Sequence, residues 1–162
     1  MNSLEMVRLP DGTYVKSVHF DGQDITRKLI DLSNGVSGDL DIVLSTKAAE
    51  LLGSVISDNG EPIVGVTVTL WPKMADASKR TGGAKSTTTD QNGKFRFPGL
   101  APDDYYVATW EEIEPGLASY HEFLSLFDGQ ASAVTLAEVQ HAVVNPKLIS
   151  SERILAEASK LP

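Results

Sequence analysis

The chain has no cysteine, which excludes disulfides, thiolate nucleophiles and cysteine-built zinc or iron–sulfur centres. Basic residues are scarce: 14 Lys and Arg face 22 Asp and Glu in 162 residues, a net charge of −8. A surface of that sign repels phosphate, which argues against nucleic acid and against anionic membranes as partners. No apolar run approaches the ~18 residues that a spanning helix needs, so no membrane insertion is expected. The N-terminus, MNSLEMVRLPDG, lacks the apolar stretch of a signal peptide. Aromatics stand at only 7%, so each ring that is present has to be accounted for.

What remains is an ordinary globular balance, 41% hydrophobic and 22% charged, in a chain long enough for one domain plus a fragment. The charge is unevenly spread. Residues 1–49 carry 7 acids and 5 bases, residues 50–100 carry 5 and 6, and residues 101–162 carry 10 and 3. The acidic excess of the last third reads as a solvated face, with a cation or basic-partner site as the alternative.

Period-two alternation recurs through most of the chain and is punctuated by turn residues. In Val64 to Leu70, Val66, Val68 and Leu70 share one face and Thr67 and Thr69 the other. Leu52 to Ser57 reads as the strand before it, with Asp58-Asn59-Gly60 as a tight turn. Ser86 to Thr89 and Lys94 to Phe97 form a second pair around Asp90-Gln91-Asn92-Gly93, with Phe95 and Phe97 necessarily on one side. Tyr105 to Trp110, Val134 to Leu136 and His141 to Val144 complete the set, and Lys73 to Lys85 reads as a loop. Helical signal is thin. His121 to Phe127 fits two turns, with Phe123, Leu124 and Phe127 on one side, and residues 151–160 fit a short amphipathic helix or frayed tail capped by Ser150 or Ser151. The fold class expected is all-β, an antiparallel sandwich of about seven strands with one short helix, preceded by a few extra strands.

The segment from Gly53 carries a specific pattern: Gly53-x-Val55-x-x-Asp58-x-Gly60-x-Pro62-Ile63-x-Gly65-x-x-Val68-x-Leu70, then Thr87-x-Thr89-Asp90-x-x-Gly93-x-Phe95-x-Phe97-x-x-Leu100. Over residues 50–145 this resembles the carboxypeptidase regulatory-like domain, a prealbumin-like (Ig-like) sandwich of bacterial exported proteins. One departure is Pro102-Asp103-Asp104-Tyr105, where the family usually shows Pro-Gly-x-Tyr. Physics accounts for the pattern without chemistry. Gly60 and Gly93 suit turns needing positive φ, while Val55, Ile63, Val68, Leu70, Phe95, Phe97, Leu100 and Val107 form a buried face.

No catalytic set emerges. His19, His121 and His141 are far apart in sequence, and His121-Glu122, as neighbours, point away from each other. The Tyr-Arg-Gly-Ser ending of hydroxyisourate hydrolases and a Gly-x-Ser-x-Gly elbow are both missing. A Lys–Asn isopeptide crosslink would have to use Lys47 and Asn145, neither of which falls on the required strands. Asp58-x-Gly60 and Asp90-x-Asn92-Gly93 read as hairpin turns rather than calcium loops. Glu111, Glu112 and Glu114 are the weak cation candidate, and no cofactor is expected. Trp71, Trp110 and Tyr106 are the candidate carbohydrate platform if exposed, with core filling as the competing reading.

The expected organisation is three-part: residues 1–49 as strands from the end of a preceding β-domain, 50–147 as the sandwich, and 148–162 as a C-terminal tail or short helix. The expected role is a non-catalytic spacer or interaction module of a larger exported protein, periplasmic, secreted or on the cell surface. Neighbouring domains of that parent are the expected partners. The alternative is a polysaccharide-binding module, or one that binds a surface protein.

Overall fold

The computed structural model describes residues 9–26, 28, 35, 37–73 and 83–161. Most of the expected 73–85 loop lies outside the described residues. In chain order the elements are β1 (Tyr14–Phe20), β2 (Gln23–Asp24), β3 (Leu40–Ser45), β4 (Ala49–Ser54), β5 (Thr67–Pro72), β6 (Lys85–Thr88), β7 (Lys94–Leu100) and β8 (Asp103–Trp110). There follow α1 (Pro115–Ser119), α2 (His121–Ser125), β9 (Ser132–Leu136), β10 (His141–Val143), β11 (Leu148–Ile149) and α3 (Ser151–Ala158).

Three sheets result. A small sheet, β10-β4-β7, faces a larger one, β11-β8-β5-β6, and β9 joins the larger sheet beside β8. β8 therefore has a divided second edge: antiparallel β9 pairs with its first half and parallel β11 with its last two residues. The alternation read from sequence places Leu51, Val55, Val68, Leu70, Phe95, Phe97, Leu100, Tyr105, Val107 and Leu136 between the two sheets, with Ile63 and Val66 packed against them. This is the sandwich core, and the apolar area it removes from water is its main source of stability. Phe95 and Phe97 meet edge-on at 6.0 Å between ring centroids.

The larger sheet is buried on its other face too. Trp71, Ala108 and Trp110 alternate outward from the first core and form a second one with Phe123, Leu124, Phe127, Ile149 and Ile154. The architecture is thus three layers, sheet on sheet with helices over the larger sheet. The expectation of one short helix is corrected, because α1, α2 and α3 form a cover rather than an appendage. Residues 148–162, read from the sequence as a tail or short helix, hold β11 and the short helix α3. β11 pairs with β8, Ile154 enters the second core, and α3 is capped by the Ser150 hydroxyl, which accepts from the Arg153 amide at 3.4 Å.

Local turn chemistry follows the sequence. Gly60 and Gly93 both take positive φ, +80° and +69°. At Gly93 a Cβ would in addition lie 2.7 Å from the Val55 carbonyl oxygen, so this turn needs glycine twice over. The Pro102-Asp103-Asp104-Tyr105 variant keeps a corner function, since the Tyr105 hydroxyl donates to the Ala101 carbonyl at 2.8 Å. The connection after β1 begins with a hairpin. Asp21 (φ +47°) and Gly22 (φ +76°) form its two-residue loop, and Phe20 pairs with Gln23.

The N-terminal strands do not join the sandwich. They form their own sheet, β2-β1-β3, and none of their described residues enters either core. A bulge at Lys16 shifts the β1 register so that Val15, Val18 and Phe20 lie opposite Leu44, Ile42 and Leu40. All six share one face, and Leu40, Ile42 and Leu44 are exposed.

Candidate functional site

The two tryptophans are buried completely, at 0% exposure. Trp71 stacks on Trp110 at 6.5 Å, and Trp110 meets Phe127 edge-on at 4.9 Å. Both indole N–H groups are satisfied: Trp71 Nε1 donates to Asp128 Oδ1 at 3.2 Å and Trp110 Nε1 to Thr69 Oγ1 at 2.9 Å. Rings sealed beneath α2 and α3 cannot stack on a sugar, so of the two readings given for Trp71 and Trp110, platform if exposed or core filling, these two take the core role. Tyr106 lies on the same face, half-buried, with its ring against Trp71 and the Lys73 ammonium 5.3 Å from its centroid.

The acidic candidate does not converge either. Glu111 uses Oε2 to accept from the Ser151 amide at 2.8 Å, which anchors the start of α3, while Glu114 sits at the N-cap of α1. Among the described residues no group of three His, Asp or Glu side chains could hold a metal ion. His19 lies on β1, His121 opens α2, and His141 is on β10, so the three imidazoles stand on three separate elements. Lys47 pairs with Glu138 before the start of β4, whereas Asn145 accepts from the amide and hydroxyl of Ser54 at its far end. A six-residue strand spans about 20 Å, which separates the two groups that an isopeptide bond would need together.

Two constellations were not anticipated. On the open face of the small sheet, Glu50 of β4 accepts from Arg96 Nε of β7 and bonds His141 Nδ1 of β10 at 2.8 Å, so one carboxylate ties all three strands. The Arg96 hydrogen bond is the main cause holding the Glu50 pKa below the usual glutamate value, with His141 adding to it and burial opposing it. The sequence signal was available: Glu50 and Arg96 occupy outward positions between inward Ala49, Leu51, Phe95 and Phe97. Their pairing became visible only with the register.

The second lies where the segment around the N-terminal sheet touches the β9–β10 turn. Glu138 accepts from the Tyr14 hydroxyl at 3.3 Å and pairs with the Lys47 ammonium at 3.5 Å. The Val139 amide donates to the Lys47 carbonyl, and the Ala48 amide donates to the Gly12 carbonyl, each at 3.2 Å. These contacts clasp the β9–β10 turn onto the connection between β3 and β4. Val139 holds φ +61° to do so, a strained value for a β-branched residue. Beside the clasp opens a cleft of about 390 Å3, lined by residues 9–13, Lys85, Arg96, Pro98 and Gly99.

A family model for the carboxypeptidase regulatory-like domain matches residues 50–148. No curated protein matches the chain. Among solved structures, the full-length major pilin SpaD from Corynebacterium diphtheriae is similar at 21% identity and TM-score 0.41, covering 62% of this chain and 29% of that one. A streptococcal ancillary pilin is similar at 14% identity and TM-score 0.42 (86% and 45% covered). The 5-hydroxyisourate hydrolase of Klebsiella pneumoniae is similar at 20% identity and TM-score 0.38 (63% and 90% covered). The chain thus spans less than a third of the SpaD pilin, and likenesses at these scores carry no functional argument.

Proposed function

The chain belongs to the carboxypeptidase regulatory-like domain family, and from that premise we propose that it is a non-catalytic β-sandwich spacer or interaction module of a larger exported protein. The observation that carries this reading is where the family pattern goes. Val55, Val68, Leu70, Phe95, Phe97 and Leu100 fill the inter-sheet core with Ile63 packed on it, and Gly60 and Gly93 serve turns. Positions committed to packing and to backbone geometry are unavailable for proton transfer or nucleophilic attack.

The N-terminal sheet supports the interaction part of the proposal. Its apolar face, Val15, Val18, Phe20, Leu40, Ile42 and Leu44, has the alternation of a sheet built to pack against another sheet. We read residues 1–49 as the end of a neighbouring β-domain, which the clasp at Glu138 holds at a set angle to the sandwich. A spacer needs such a joint, since a free linker would transmit no orientation.

Hydrogen exchange tests the proposal. The amides of β1 and β3 are measured in this chain alone and in the longer parent chain. Greater protection in the parent is the expected result, whereas identical protection would refute a covering neighbour. Turnover by the purified chain on an ester or peptide substrate, abolished by a single side-chain substitution, would refute the non-catalytic part.

A further inference from the structure

The cleft beside the clasp is lined by two cations, Lys85 and Arg96, and by one carboxylate, Asp11. Lys85 opens β6, at the edge of the larger sheet, and its ammonium makes no hydrogen bond or ion pair among the described residues. The residue is exposed and lines the cleft, and dehydration by the surrounding protein holds its pKa below the ordinary lysine value. A partly dehydrated cation with no partner among the described residues gains from an anion placed beside it. Arg96 lines the same cleft and commits Nε to Glu50, which fixes the guanidinium plane and leaves its Nη groups without a partner among the described residues.

The rest of the lining narrows the ligand. Leu9, Pro10 and Pro98 are apolar and suit the flat face of a ring. Asp11 is an acceptor that favours hydroxyl donors and disfavours a dianion. The volume matches a small organic molecule rather than a single ion. We propose that this cleft binds a hydroxylated organic carboxylate of about monosaccharide size, a sugar acid. Lys85 and Arg96 hold its carboxylate, and Asp11 accepts from one of its hydroxyls. The site is separate from the buried tryptophans and from the spacer role, and it stands or falls independently of both.

The test is an amide NMR titration of the whole chain with sodium glucuronate, with glucose and sodium phosphate as controls at matched ionic strength. Glucuronate is expected to shift Gly12, Thr13, Lys85 and Gly99 saturably, with Kd in the ~mM range usual for so small a ligand. Lys85→Gln should weaken this about tenfold, as loss of a charge-assisted bond does, while Lys85→Arg retains it. Asp11→Asn is the second variant; it leaves both cations in place and should admit phosphate. Shifts that are absent, unsaturable or scattered over the surface would overturn the proposal. So would equal shifts with glucose, or an unchanged response in a folded Lys85→Gln protein.

Discussion

Two three-stranded sheets of nearly equal size occur in this chain, and they differ in what lies over them. The β10-β4-β7 sheet turns Ala49, Leu51, Phe95, Phe97 and Leu100 onto a facing sheet, and all five are buried. The β2-β1-β3 sheet also gathers most of its apolar side chains on one face, with Val43 and Tyr14 on the other, yet Leu40, Ile42 and Leu44 remain exposed there. Alternation and strand count are therefore similar in the two, and among the described residues the cover differs. Strand pairing orders a backbone, but burial supplies the stability, and a sheet with one apolar face uncovered is marginal by itself.

That contrast can be broken or sharpened by substitution. The largest effect is expected from Phe97→Ala in the covered sheet, a loss of about 3–5 kcal/mol read from urea denaturation. Gly53→Ala should follow at about 1–3 kcal/mol or more, because its Cβ would sit 2.0 Å from the Val144 carbonyl oxygen and 2.3 Å from the Phe95 ring. Val139→Gly should move the other way and raise stability by up to about 1 kcal/mol, since the strained turn that grips the N-terminal sheet would relax. A drop in melting temperature would show that the Val139 side chain supports the turn despite its exposure.

The covered sheet should also show an acid response at Glu50. The folded-state pKa of Glu50 lies below its unfolded value, so its contribution is present above the ordinary glutamate pKa and lost as the pH falls through the lowered one. Denaturation midpoints of the native protein and Glu50→Gln, compared at pH 6 and at pH 3, should differ more at the higher pH than at the lower. Ile42→Ala should be the smallest change, below about 0.5 kcal/mol, because the side chain is already partly in water. A loss comparable to that of Phe97→Ala would mean that the N-terminal face is covered in solution, and the comparison would collapse.

The first core was legible in the sequence because its members repeat every second residue within short segments. The second core was not. Trp71 and Trp110 alternate correctly on β5 and β8, but their partners Phe123, Phe127 and Ile154 come from α2, the turn after it and α3, far away in the chain, and no local period connects them. An aromatic residue on the outer face of a strand reads the same whether solvent or a helix lies above it. The Asp21-Gly22 hairpin was missed for another reason: the following strand is two residues long, too short for a period to show. The Glu50–Arg96–His141 group depends on register between three strands, and the cleft at Lys85 depends on where residues 9–13 cross β7.

The clasp has a mechanical consequence. Tension applied from the N-terminal side enters the sandwich at β4, which is flanked by antiparallel β7 and parallel β10. Pulled along its length, β4 would have to slide past both neighbours, so its ladder bonds would be sheared together instead of parting in succession. The Lys47–Glu138–Tyr14 contacts stand ahead of that strand and would yield first, letting the module give a little under load before its core is touched.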